Sequence, residues 1–163
     1  MFDDLFDSAN TIIEIEIYYK RDGLAWFVYN DEEFKKLKER KTISDEEAIK
    51  YKCIKITAKQ LDWGTFNDAQ EAAYQTVTGL DGQQERRFNL KLYKEAKLLR
   101  IILNWNLCKS VNDRQVMPLE VKPEVIEQLP IPIVEKLLTE YDRQSILTEE
   151  ELKKSKSRRM PTT

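Results

Sequence analysis

The chain has 163 residues, a length that fits one domain or one domain with a small appendage. Hydrophobic residues make up 41% and charged residues 34%, and the net charge of −2 excludes the broad basic field that nonspecific nucleic-acid binding by a whole domain requires. Histidine is absent, which removes the commonest general base, the commonest metal ligand and the physiological pH switch together.

The N-terminus carries Asp3, Asp4 and Asp7 where a signal peptide needs basic residues. The longest near-continuous apolar zone, Leu98 to Leu107, is broken by Arg100, Asn104 and Asn106 and is too short to span a bilayer. A reducing cytoplasm is the expected compartment, with no membrane partner. Ile13, Ile15, Ile17 and Tyr19 alternate with Glu14, Glu16 and Tyr18, the period of a half-buried strand. Asp22-Gly23 is a hairpin turn signal. The return strand, Leu24 to Tyr29, is near-continuously apolar and is expected to be buried on both faces. Asn30 and Glu33 form a capping box for a helix presenting Phe34, Leu37 and Ile43, and Ser44 with Glu47 form a second. Ile54, Ile56 and Ala58 alternate again and predict a third strand over Tyr51 to Ala58.

Beyond Leu61, Thr65 or Asn67 can cap a helix to about Val77, with Gly79 and Asp81-Gly82 ending it in a polar connector through Arg87. Asn89 caps the strongest predicted helix, Leu90 to about Leu107, whose stripe of Leu92, Ala96, Leu99 and Leu103 is widened by Tyr93, Ile101 and Trp105. A polar loop, Lys109 to Gln115, follows. Pro123 suits the first position of a short helix through Leu129, and Pro130 and Pro132 break it. Ile133, Leu137 and Tyr141 share one face of the next predicted helix, and Thr148 with Glu151 caps a last short one. The fold class expected is α+β. A β-hairpin and third strand (residues 1–60) pack on a helical half (61–152), with a basic tail (153–163).

No catalytic chemistry is expected. Asp45-Glu46-Glu47 and Glu149-Glu150-Glu151 crowd first turns of helices, where the dipole accounts for them. The four glycines form no phosphate loop. The serines lack a His partner; a Ser–Lys pairing stays open, but no S-x-x-K stands in a strand-to-helix context. Cys53 and Cys108 lie 55 positions apart, without zinc or disulfide-framework spacing, and read as small core residues. No metal, cofactor or small-molecule substrate is therefore expected. Lys153, Lys154, Lys156, Arg158 and Arg159 make either a solvated tail or an electrostatic arm for an acidic partner or nucleic acid. Trp26, Trp63 and Trp105 read mainly as core, with a protein-binding patch as the alternative.

Leu61-Asp62-Trp63-Gly64-Thr65-Phe66-Asn67, then Arg87-Phe88-Asn89-Leu90 with Leu92-Tyr93, then Ile102-Leu103-Asn104-Trp105-Asn106-Leu107 occur in that order. A turn with Val116-Met117-Pro118-Leu119 and a Pro-started helix containing Gln128-Leu129-Pro130 follow. This succession resembles the tail assembly chaperones of tailed bacteriophages and related small phage structural proteins, over about half of the chain. The turn at Val111 to Pro118 departs from the usual D-G-K-P-V-P form by lacking Gly. The resemblance implies a non-enzymatic protein that binds other phage structural proteins, such as tape-measure, tail-tube or neck subunits. Retention in the mature virion, at the neck, tail or capsid surface, is the alternative, and a small nucleic-acid-binding protein is a further one. A homo-oligomer stays open. The residues expected to meet partners are Trp63, Trp105, Pro130, the face of Ile133, Leu137 and Tyr141, and the basic Lys153, Lys154, Arg158 and Arg159.

Overall fold

A computed structural model describes residues 11–112 and 115–157. In chain order the first elements are β1 (Ile12–Asp22), β2 (Ala25–Asn30), α1 (Asp31–Glu39), α2 (Asp45–Ala48) and β3 (Lys52–Lys59). Then come α3 (Trp63–Ala72), β4 (Tyr74–Thr78), β5 (Gln84–Phe88), α4 (Leu90–Ile101) and β6 (Ile102–Trp105). The last are β7 (Cys108–Asn112), β8 (Gln115–Pro118), α5 (Pro123–Ile126) and α6 (Ile131–Ser157). One sheet has the strand order β2-β1-β3-β6, while β4-β5 and β7-β8 are separate two-stranded ribbons. The class is α+β. The described residues fall into two compact units, residues 15–53 with 131–157 and residues 11–14 with 54–130, so β1 and β3 each run from one into the other.

In the unit of residues 15–53 and 131–157, Ile15 and Ile17 are buried at the alternate positions the strand period selects. Gly23, at φ 59, and Leu24 form the two-residue turn, and the left-handed first position is the one a type II′ hairpin gives to Gly. The return strand is not buried on both faces: it forms an edge of the sheet, Leu24 is 94% exposed and Phe27 39%. Both halves of the α1 capping box form: Asn30 Oδ1 accepts from Glu33 N at 2.8 Å, and Glu33 Oε2 accepts from Asn30 N at 3.0 Å. Phe34 is buried and stacks on Tyr18 with centroids 4.3 Å apart, and Tyr51 joins it at 5.1 Å. Ser44 caps α2 as expected. The C-terminal helix begins at Ile131, because Pro132 in its first turn has no intrahelical N–H bond to lose. It then continues to Ser157, so Thr148 and Glu151 lie inside one helix and start no new one.

In the unit of residues 11–14 and 54–130, Ile13, Ile54, Ile56 and Ala58 are buried by the same alternation. The start of α3 lies earlier than the expected caps: Asp62 Oδ1 accepts from Thr65 N at 2.7 Å, which makes Trp63 the first helical residue. The helix also ends earlier, at Ala72. The β-branched run Thr76-Val77-Thr78 goes into β4, and the connector's Gln84–Phe88 into β5. Gly79 and Gly82 form the turn between them: Gly79 N donates to Gln83 O at 2.8 Å, and Gly82 adopts φ 77. Asn89 caps α4 through Leu92 N, but the helix stops at Ile101 rather than near Leu107, and Ile102–Trp105 pair with β3. The expected polar loop after Lys109 is instead the ribbon β7-β8, whose Asp113 and Arg114 lie outside the described residues. Thus the described residues of the span read as a helical half hold five strands beside its helices. Pro123 does open α5, which ends at Ile126.

Candidate interaction surface

Polar chemistry in the unit of residues 15–53 and 131–157 is concentrated where α1 meets α6. Glu140, 4% exposed, accepts from Asn30 Nδ2 at 3.0 Å, from Arg143 Nη2 at 2.5 Å and from Gln144 Nε2 at 3.2 Å. Burial alone would raise this carboxyl, but the bonds from Arg143, Gln144 and Asn30 outweigh it and hold it below the ordinary glutamate value. Glu33 is also held low: burial opposes ionisation, while the Lys136 ammonium at 2.7 Å and the Asn30 N–H favour it more. Both carboxylates are saturated with donors, an arrangement that caps and ties helices and leaves no free base. Tyr18 donates to Glu16 at 3.0 Å, and burial with that bond pushes its hydroxyl up, so it stays a phenol.

In the unit of residues 11–14 and 54–130 the exception is Glu95 on α4. Its Oε2 is buried with no hydrogen-bond partner among the described residues. Burial first, then the nearby Glu127 carboxylate, push its carboxyl up. Among the described residues no three His, Cys, Asp or Glu side chains gather where a metal ion could be held. Cys53 is half-buried, but Cys108, expected in the core, is exposed on β7. No helix among the described residues is long and apolar enough to cross a membrane.

What this unit presents in quantity is apolar surface. Trp63 is 77% exposed at the start of α3, paired only loosely with Phe66 at 6.1 Å. On β4-β5, Tyr74 faces Phe88 across the ladder at 5.5 Å, both nearly half exposed, and Leu80 in the turn is fully exposed. Arg86 lies 4.9 Å over the Tyr74 ring and bridges to Glu71 at 2.9 Å. Every described residue of β7-β8 is exposed, Val111, Val116 and Met117 among them. Two-stranded ribbons are marginal on their own in water, and apolar side chains on both make them sites where a partner's cover lowers free energy.

The expected partner residues separate accordingly. Trp63 is on the surface. Trp105 is 8% exposed, lies on β6 rather than on a helix, and donates its indole N–H to Leu119 O at 2.6 Å. Ile133, Leu137 and Tyr141 are buried within the chain's own fold, so their stripe on α6 is a core face. Pro130 is half-buried just before α6. Lys153 and Lys154 belong to α6, and Arg158 and Arg159 lie outside the described residues.

The chain matches no protein family, no curated protein and no solved structure. The surface residues that sequence reasoning missed are those of the ribbons: Leu80, Val111, Val116 and Met117. Their signal was an apolar side chain inside stretches otherwise polar enough to read as loops.

Proposed function

We propose that this chain is a non-enzymatic phage assembly protein of the tail-assembly-chaperone kind, which binds apolar segments of other tail proteins such as the tape-measure protein. The observation that supports it most is the pair of open ribbons, β4-β5 and β7-β8, carrying exposed Tyr74, Leu80, Phe88, Val111, Val116 and Met117. Interface cores are rich in aromatic residues and Met, and strand edges offer backbone donors and acceptors to an incoming segment. The order of Trp63-Gly64, Asn104-Trp105-Asn106 and Gln128-Leu129-Pro130, similar to that of tail assembly chaperones, points the same way.

Co-expression with the tape-measure protein of the same phage tests the reading. The chain keeps that protein soluble and co-purifies with it, and Val116→Asp with Met117→Asp abolishes both effects without changing the far-UV circular dichroism. A tape-measure protein that precipitates equally with and without the chain contradicts the proposal. Mass spectrometry of purified particles then separates a chaperone, which leaves, from a virion component, which stays.

A further inference from the structure

β2 is an end strand of the sheet, bonded to β1 on one side. In a two-residue hairpin the closing pair, here Asp22 and Ala25, exchanges both hydrogen bonds, and the pairs alternate from there. Trp26 and Val28 therefore direct their N–H and C=O groups away from β1. Outside the β1 ladder, no backbone–backbone bond among the described residues reaches Ala25–Tyr29. Edge strands are ordinarily blocked by a charge, a proline or a bulge. Ala25-Trp26-Phe27-Val28-Tyr29 has none of these, and its pairing with β1 runs without a register shift.

We propose that β2 pairs antiparallel with β2 of a second copy of this chain, joining two sheets about a two-fold axis. The charges flanking the strand select this occupant and this direction. The turn end carries Lys20 and Arg21 against the single Asp22, and the other end opens α1 with Glu32 beside Asp31 and Glu33, which already pair with Lys35 and Lys136. Antiparallel pairing of two copies lays each net-basic end on the other's acidic end, and a parallel pairing sets like on like. The same edge meets itself, as an isologous contact demands. A contact built on six-residue strands falls at the small end of interface sizes, below about 1,200 Å2, so the dimer forms with rising concentration rather than permanently.

Sedimentation equilibrium of the full chain over a wide concentration range tests this. The apparent mass rises from 19.3 kDa toward twice that value. Val28→Pro, which removes an outward N–H and leaves the β1 ladder intact, stays at the monomer mass with unchanged circular dichroism. A monomer throughout overturns the proposal, as does a dimer that survives Val28→Pro. Should that variant lose its fold, amide exchange in the unaltered chain decides. The Trp26 and Val28 amides then slow with concentration while Phe27 and Tyr29, already bonded to β1, do not. Exchange at Trp26 and Val28 that ignores concentration, or slows only when the tape-measure protein is added, refutes self-pairing. None of these results depends on whether the β4-β5 and β7-β8 ribbons bind a tail protein.

Discussion

Replacing Trp105 by alanine removes a side chain that is 8% exposed and donates its indole N–H to the Leu119 carbonyl at 2.6 Å. Cutting a buried Trp to Ala costs about 3–5 kcal/mol through lost burial and the cavity left behind. The bond to Leu119 accounts for about 1 kcal/mol of the total. Trp105→Phe divides the two contributions: it keeps most of the ring, loses the donor, and is expected to cost about 1–2 kcal/mol. Urea unfolding followed by circular dichroism gives the totals. Amide exchange across Ile54–Ala58 and Ile102–Trp105, which pair at Ile56↔Trp105, reports on the β3-β6 region directly. Since whole domains are stable by only about 5–15 kcal/mol, the alanine variant should open this unit detectably without denaturant. A Trp105→Ala chain that loses under about 1 kcal/mol yet no longer binds its partner would refute the reasoning, because it would place Trp105 at an interface.

Three further outcomes follow from the electrostatics and the surface. Glu33 and Glu140 have lowered pKa values in the folded chain, so their stabilising contribution is complete above the ordinary glutamate value of about 4.3 and is lost as pH falls through the lowered values. Glu140→Gln should accordingly flatten the acid limb of a melting-temperature profile, and an unchanged limb contradicts the assignment. Glu95 has the opposite sign: its pKa is raised, so it favours the folded state below the ordinary value and opposes it once pH rises through the folded one. Glu95→Gln should then raise the melting temperature at pH 7, with the gain shrinking toward pH 4; a loss at pH 7 would count against the buried, unpartnered oxygen. Trp63→Ala, at a side chain 77% exposed, should change stability by no more than about 0.5 kcal/mol while weakening the proposed binding to the tape-measure protein, measured by titration calorimetry.

The parts of the fold legible in the sequence were those governed by local rules. Alternation placed Ile13, Ile15, Ile17, Ile54 and Ile56 inward, and the Asn30–Glu33 box marked the first turn of α1. The failures occurred where pairing decides between conformations that the local pattern leaves equal. Leu90 to Leu107 reads as one helix, yet Ile102–Trp105 pair as the strand beside β3, and a run of four residues carries no period of its own. Gln84–Phe88 looks like a charged connector because its ladder to Tyr74–Thr78 is invisible in its composition. The proposed binding surface was half legible. Trp63 was named, but the stripe of Ile133, Leu137 and Tyr141 turned out to be core, since amphipathicity shows that a face is covered and not by what. The ribbons were missed because most of their apolar residues are scattered among polar ones, and Val116-Met117 is too short a run to mark a strand.

The most direct test of the account is amide exchange of the chain with and without the tape-measure protein, read residue by residue. Slowed exchange is expected on β4-β5 (Tyr74–Phe88) and on β7-β8 (Cys108–Pro118), with buried Ile54, Ile56 and Trp105 already protected before the proposed partner is added. A tight complex that leaves both ribbons exchanging at their free rates contradicts it.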